Sequence, residues 1–511
     1  MPTRSLPENP SLENLKNQAR SLQQQVRAGD PEAISQVREF DPRSAVDPGK
    51  LSGFSLTEAQ LVTARGYGFA GWQRLRTHVD VIREFSRWPE PVSDVTADGT
   101  DGTIDPQLLA DRFLDLACLS FTRDGRSRQS RARELLSAHP ELATASIHTM
   151  AVVGEVSAVR RLLASDPSQA RRKGGPFDWE PLLYLANGRL GDTGPGRSAV
   201  EVTRLLLDAG ADHNAGYLWR GMTSPFTALT GVFGGGEQNQ PYHPDAAALA
   251  RLLLSAGADP NDNQALYNRM FTPANDHLEL LFEFGLGSEI DSPWRQRLGH
   301  TYPSPTQMVQ EQLRWAADHG MLERVRLLLA HDVDPDGLGY HPVYGAQTPY
   351  QLALAAGNRD IARVLAEAGA TTTGIHPVQE FLNACMAGDR PEAERLRAAD
   401  PSLPDRAIAA EPAAVAKAVQ TGHIEAVRLM LDVGFDVNAG GTTALHEAAW
   451  RVDIPIAQLL LDCGADQLRR DHRFDSTPPE WARHAASEAA YLDDQTERHQ
   501  QMVEFLTTYD A

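Results

Sequence analysis

Long apolar runs, cysteines and basic residues are all scarce in this chain of 511 residues. No stretch of about 18 or more apolar residues occurs, so no membrane-spanning helix is expected. The opening Met1-Pro2-Thr3-Arg4-Ser5-Leu6-Pro7-Glu8 has no apolar signal-peptide core. Only three cysteines are present, Cys118, Cys385 and Cys463. An odd, sparse set inside predicted helices implies buried thiols and a reducing, cytoplasmic setting, not a disulfide framework. Lys and Arg number 48 against 68 Asp and Glu, a formal charge of -20. Binding to DNA or RNA needs concentrated positive charge, so no nucleic-acid partner is expected. The first 85 residues are nearly balanced, with 11 Lys and Arg against 10 Asp and Glu. The acidic excess therefore lies beyond them, where it solvates the surface and could steer basic partners.

Catalytic signatures are missing too. No Gly-x-Ser-x-Gly elbow occurs. The glycine run Gly231 to Gly236 is not followed by the Lys-Ser/Thr pair that a phosphate cradle needs, and it reads as a flexible insertion loop. His446-Glu447-Ala448-Ala449-Trp450 begins like a zinc-protease helix, but Trp450 stands where the second histidine is required. His446 and Thr443 are better read as stabilising a turn and a helix start. With no close Cys/His cluster, neither a metal nor a cofactor is expected. His277, His300, His319, His331 and His341 fall in or near the irregular middle, but nothing in their spacing demands a shared site.

What the chain does have is repetition. Leucine triplets followed by a glycine stop recur at Leu205-Leu206-Leu207 with Gly210-Ala211-Asp212, at Leu252-Leu253-Leu254 with Gly257-Ala258-Asp259, and at Leu459-Leu460-Leu461 with Gly464-Ala465-Asp466. The triplets bury a broad helix face, glycine supplies the left-handed terminus, and Asp or Asn bonds the next turn. First helices are announced by Glu180-Pro181-Leu182, Ser224-Pro225-Phe226, Thr348-Pro349-Tyr350 and Thr443-Ala444-Leu445. Phe226 and Phe271 look like inward helix positions. One such hairpin cannot bury its own apolar face, so stability must come from stacking. About eleven units lie beyond residue 105 at this period.

Thr443-Ala444-Leu445-His446-Glu447-Ala448 resembles the Thr-Pro-Leu-His-x-Ala signature of the ankyrin repeat, with Ala in place of Pro. The resemblance is closest over 340–370 and 411–470 and extends more loosely over 105–340. The arrangement resembles a bacterial ankyrin-repeat protein of actinobacterial type. It implies an all-α, ankyrin-like solenoid of stacked helix-turn-helix repeats, irregular in the middle. The expected organisation is an N-terminal helical segment at 1–85 (diverged repeats or a cap), a linker at 86–104, and the repeat array at 105–511. Insertions are expected near 213–246 and 286–308, because Gly210 and Gly257 stand 47 positions apart.

Aromatic residues and arginines crowd this middle third, and both are favoured interface anchors. Tyr217, Trp219, Arg220, Tyr267, Arg269, His277 and Trp294 are the candidate binding residues. By family analogy the expected function is a protein-binding scaffold, acting through the concave face of first helices and turn tips together with the inserted loops. The alternative is an enzyme or small-ligand binder with a pocket within 213–345, although a non-catalytic role is favoured. A deep cavity holding two or more of Trp219, Tyr267, Arg269, His277 and Trp294 beside a carboxylate would favour that alternative. Residues 1–85 as a docking or dimerising segment is a third reading.

Overall fold

The computed structural model describes residues 4–7, 9–41, 52–89, 92, 105–122, 124–125, 127–191, 194–492 and 496–509. About 62% of the chain is helical, in agreement with the all-α expectation. Three short strands stand among the described residues: β1 (Ser86–Arg87), β2 (Gly216–Trp219) and β3 (Pro225–Thr227). No helix among them is long and apolar enough to cross a membrane.

The repeat units start and stop where local chemistry directs. At Thr348-Pro349 the threonine hydroxyl accepts the Gln351 N–H at 3.3 Å, and the Gln351 side chain accepts the Thr348 N–H at 3.1 Å. This reciprocal cap satisfies two donors that the first helical turn leaves over. Ser304 and Gln307 repeat it ahead of helix Pro305–Asp318. The stops at Gly210, Gly257, Gly434 and Gly464 all have φ between +86° and +105°, a region costly for any residue with a Cβ.

Beyond each stop, an Asp–Asn relay ties one unit to the next. Asp212 accepts the N–H of Asn214 at 2.9 Å, and Asn214 Oδ1 accepts the N–H of Asp259 in the following unit at 2.9 Å. Asn261 reaches the N–H of Gly287 in the same way, and Asn438 that of Asp466.

First helices stack in one row, from Ile147–Val153 through Pro181–Asn187, Ala228–Phe233, Asn263–Met270, Pro305–Asp318 and Pro349–Ala355 to Pro377–Met386. A second row includes Val156–Ser165, Ala199–Asp208 and Ala246–Ser255. The apolar interior is drawn out along these rows. One core runs from Ile82 to Ala370 and a second from Phe381 to Leu506.

Four N-terminal helices, Leu12–Arg27, Pro31–Phe40, Leu56–Gly66 and Trp72–Phe85, form a layer with small cores of their own around Val26, Val37 and Val62, and around Leu15 and Leu75. The Ser55–Glu58 capping box is present at the third of them. Several contacts join the layer to the array, three of which show its character. Strand β1 pairs in parallel with β2, Phe85 lies edge-on to Trp294 at 5.1 Å, and Phe69 lies edge-on to His300 at 4.8 Å. Of residues 86–104, where the linker is expected, 90–91 and 93–104 lie outside the described residues.

Some local expectations need correction. Cys118 and Cys385 are buried, but Cys463 is exposed, because it caps helix Ile454–Asp462 after the last inward position has passed. The glycine run is not a loose loop. Gly231 is buried in helix Ala228–Phe233, and Gly235 and Gln240 exchange backbone hydrogen bonds of 2.9 and 3.0 Å across a tight turn. Phe226 lies in β3, not in a helix, and Phe271 closes helix Asn263–Met270.

Candidate functional site

The seven sequence-predicted binding residues do not converge as a group. Tyr217 is buried, stacked between Trp179 at 4.9 Å and Phe226 at 5.5 Å. Trp294 is buried as well, its indole N–H donating to the Asn214 carbonyl at 3.0 Å. Helix Asn263–Met270 is packed between Ala228–Phe233 and Pro305–Asp318, which encloses Arg269. The Arg269 guanidinium pairs with Asp276 at 2.8 Å and lies 4.0 Å from the centre of the Tyr242 ring. His277 is enclosed near it. Burial, with the charges of Arg269 and Arg324, holds its pKa well below the ordinary value, so it is neutral. Arg220 is exposed at the tip of the β2–β3 hairpin, over Trp219 at 4.8 Å. That leaves Trp219 and Tyr267, and these two do line one cavity.

This cavity has a volume of about 480 Å³. Its floor is the helix bearing Asn263, Gln264, Tyr267 and Asn268. Trp219, Met222 and Ser224 come from the hairpin, Glu237 and Gln238 from the glycine turn, and Tyr340 and His341 from the loop before Thr348. Hydrogen bonds fix the wall. Asn263 donates to Ser224 Oγ at 3.0 Å and accepts from the Tyr340 hydroxyl at 2.9 Å. The Gln264 amide donates to Asn268 Oδ1 at 2.8 Å, which leaves the buried Asn268 Nδ2 without a protein partner. Tyr267 donates to Glu237 at 2.8 Å, and burial together with that carboxylate pushes its pKa well up. Behind the helix start, buried Asp262 accepts from Thr227, Thr230 and the Ala265 N–H, and burial raises its pKa to about 6.

The cavity continues into a second of about 650 Å³, with which it shares Met222, Ser224, Asn263 and Tyr340. A third, of about 600 Å³, shares Leu6, His78, Thr223, His300 and Thr301 with the second. Side by side, the three make up a cleft that runs from the array to the seam with the N-terminal layer, with the hydrogen-bonded Ser224, Asn263 and Tyr340 standing between the first two. Burial, then the charge of His300, lowers the pKa of His78 to about 4, so it is neutral at pH 7. Its Nδ1 is buried without a protein partner. Among the described residues, no group of three or more His, Cys, Asp or Glu is placed to hold a metal ion. The cleft therefore offers aromatic faces and neutral amides, groups suited to holding a ligand. Sequence reasoning missed Asn263, Gln264, Asn268 and His78. Polar residues mixed into a short buried helix carry no periodic signal, and only folding brings His78 beside residues 300 and 223.

At the other end of the array, Thr443 and His446 do what their spacing predicts. The Thr443 hydroxyl and His446 Nδ1 are 2.8 Å apart, and His446 Nε2 lies 3.0 Å from the Ser476 carbonyl, so the ring bridges two units. Residues 381–471 match the family model described as ankyrin repeats, three copies. These residues are ankyrin repeats. The ankyrin match covers the stretch in which Asn438 relays to Asp466 and Thr443 pairs with His446. Ankyrin repeats are generally protein–protein interaction modules. A comparison with curated proteins finds no match for the chain.

Proposed function

We propose that this ankyrin array is a binding protein whose central cleft takes an extended segment of a protein partner. One observation carries the reading: three cavities joined by shared residues make a single long cleft. Its amides, from Asn263 to Asn268, can both donate to and accept from a peptide backbone. Trp219, Tyr267 and Tyr340 offer the rigid aromatic area that anchors interfaces. The formal charge of -20 favours partners that are basic around the bound segment. Three free cysteines agree with a reducing, cytoplasmic setting.

A small-ligand reading has its own support, because Trp219 and Tyr267 do share a cavity with the Glu237 carboxylate. The length of the cleft favours the peptide.

Affinity capture with the full chain tests this. The Trp219→Ala/Tyr267→Ala double variant should lose a protein that the intact chain and a control variant at exposed Leu468 both retain. Native mass spectrometry of the intact chain runs in parallel. A small molecule released from the intact chain but absent from the double variant, with no protein lost, would replace the peptide by a small ligand.

A further inference from the structure

A second site lies far from the cleft, between helices Ala444–Arg451 and Pro478–Leu492 and the turn at 471–476. A cavity of about 620 Å³ there is walled by Trp450, Phe474 and Trp481. Phe474 and Trp450 are exposed, at 60% and 44%, yet the turn that carries Phe474 is rigidly held. The buried Asp471 carboxylate accepts the backbone N–H groups of Arg473 and Phe474 at 2.8 Å and of Ser476 at 3.0 Å. It also accepts the Trp481 indole N–H at 3.0 Å. Burial works against the charge, but these donors outweigh it and hold the Asp471 pKa well below the ordinary carboxylate range. One ionised carboxylate thus fixes the turn and one aromatic wall together.

The walls stand at angles to one another. Trp450 and Trp481 are 6.1 Å apart at 80°, and Phe474 and Trp481 are 5.9 Å apart at 65°. A flat ring can stack on only one such wall, whereas a rounded group can touch all three. The charges at the rim decide what kind of rounded group. Glu447, three residues before Trp450 and so on the same helix face, lines the cavity, as does Glu480. Burial raises the pKa of Glu447, the mark of a carboxylate that has lost water. Glu480 is already held by the Thr477 N–H and hydroxyl and lies 3.6 Å from Arg470. Arg473, whose guanidinium lies 5.0 Å from the centre of the Phe474 ring, and His484, stacked 6.0 Å from Trp450, complete the lining.

From this geometry we infer that the corner is a binding site for a small quaternary ammonium compound. The electron-rich faces of Trp450, Trp481 and Phe474 attract a weakly hydrated cation, and Glu447 supplies the counter-charge. The site is independent of the central cleft, and neither stands or falls with the other.

Titration of the full chain with choline, against its uncharged isostere 3,3-dimethyl-1-butanol, tests the assignment by tryptophan fluorescence and calorimetry. Choline should bind about tenfold more tightly than the isostere. Glu447→Gln should erase most of that preference, and Trp450→Ala should abolish binding with the melting temperature unchanged. Arg473→Gln should tighten choline binding, a change of sign that an apolar or anionic ligand would not produce. Equal affinity for choline and the isostere, no saturable binding of either, or weaker choline binding in Arg473→Gln would each overturn the proposal. A trimethyllysine derivative binding more than tenfold tighter than choline would overturn the commitment to a free small molecule.

Discussion

Gly464 isolates the cost of a single backbone conformation. Its φ is +86°, and a Cβ built there meets nothing within 4 Å. Gly464→Val therefore adds strain without a clash, and should cost about 1–2 kcal/mol, read as a lower melting temperature. Asp262 offers a second test, in pH. Its folded pKa, about 6, lies above the ordinary carboxyl value, so the folded state holds the proton more tightly than the unfolded chain does. That contribution is complete at acid pH and is lost as pH rises from about 4 to 6. In denaturation series, the stability of the natural protein relative to Asp262→Asn should fall across that window and stay flat above it. A difference independent of pH would show that Asp262 is ionised throughout. Individual residues were legible where their role is local. Thr443, His446, Ser55 and Glu58 form the bonds their spacing suggests. Tyr217 and Trp294 read as surface anchors and turned out to be interior, because residues distant in sequence cover them: Trp179 stacks on Tyr217, and Phe85 of helix Trp72–Phe85 packs on Trp294.

The relay between units gives the element scale its own prediction. Asn214 is buried and satisfies the N–H of Asp259. Asn214→Ala leaves that donor unpaired, and should cost about 1–3 kcal/mol while speeding amide exchange at Asp259. The corresponding bond from Asn438 to Asp466 is exposed. Asn438→Ala should cost less than about 1 kcal/mol, because water replaces the lost partner. Equal costs would mean that the relay stabilises by geometry and not by sparing buried donors. Helix pairs from 340 to 470 were legible because caps, leucine triplets and glycine stops lie within one repeat. The β2–β3 hairpin was not. Pro225-Phe226-Thr227 carries the same turn-plus-apolar signal that opens helices elsewhere, and its pairing with β2 is settled by register.

Over the whole molecule, the interior is divided into cores strung along the rows, so damage should stay local. Leu460 is fully buried in the core that runs from Phe381 to Leu506. Leu460→Ala should cost roughly 2–5 kcal/mol and raise hydrogen exchange over helices Pro377–Met386 to Thr496–Thr508. Exchange in Ile147–Val153 and Pro181–Asn187 should not change, as expected where each unit touches only its neighbours. A uniform rise along the chain would show one cooperative block. At this scale the solenoid was legible and the cleft was not. Leu6, His78, Met222, Asn263 and Tyr340 meet on it from positions that no local pattern connects.

The pairing of Ser86 and Arg87 with Leu218 and Trp219 also sets a timetable. During synthesis helices Leu12–Arg27 to Trp72–Phe85 leave the ribosome before their mate on the array, which is made more than a hundred residues later. At about 5–20 residues per second they wait roughly ten seconds with that edge uncovered. A segment made early thus finds its final place only once a much later one exists.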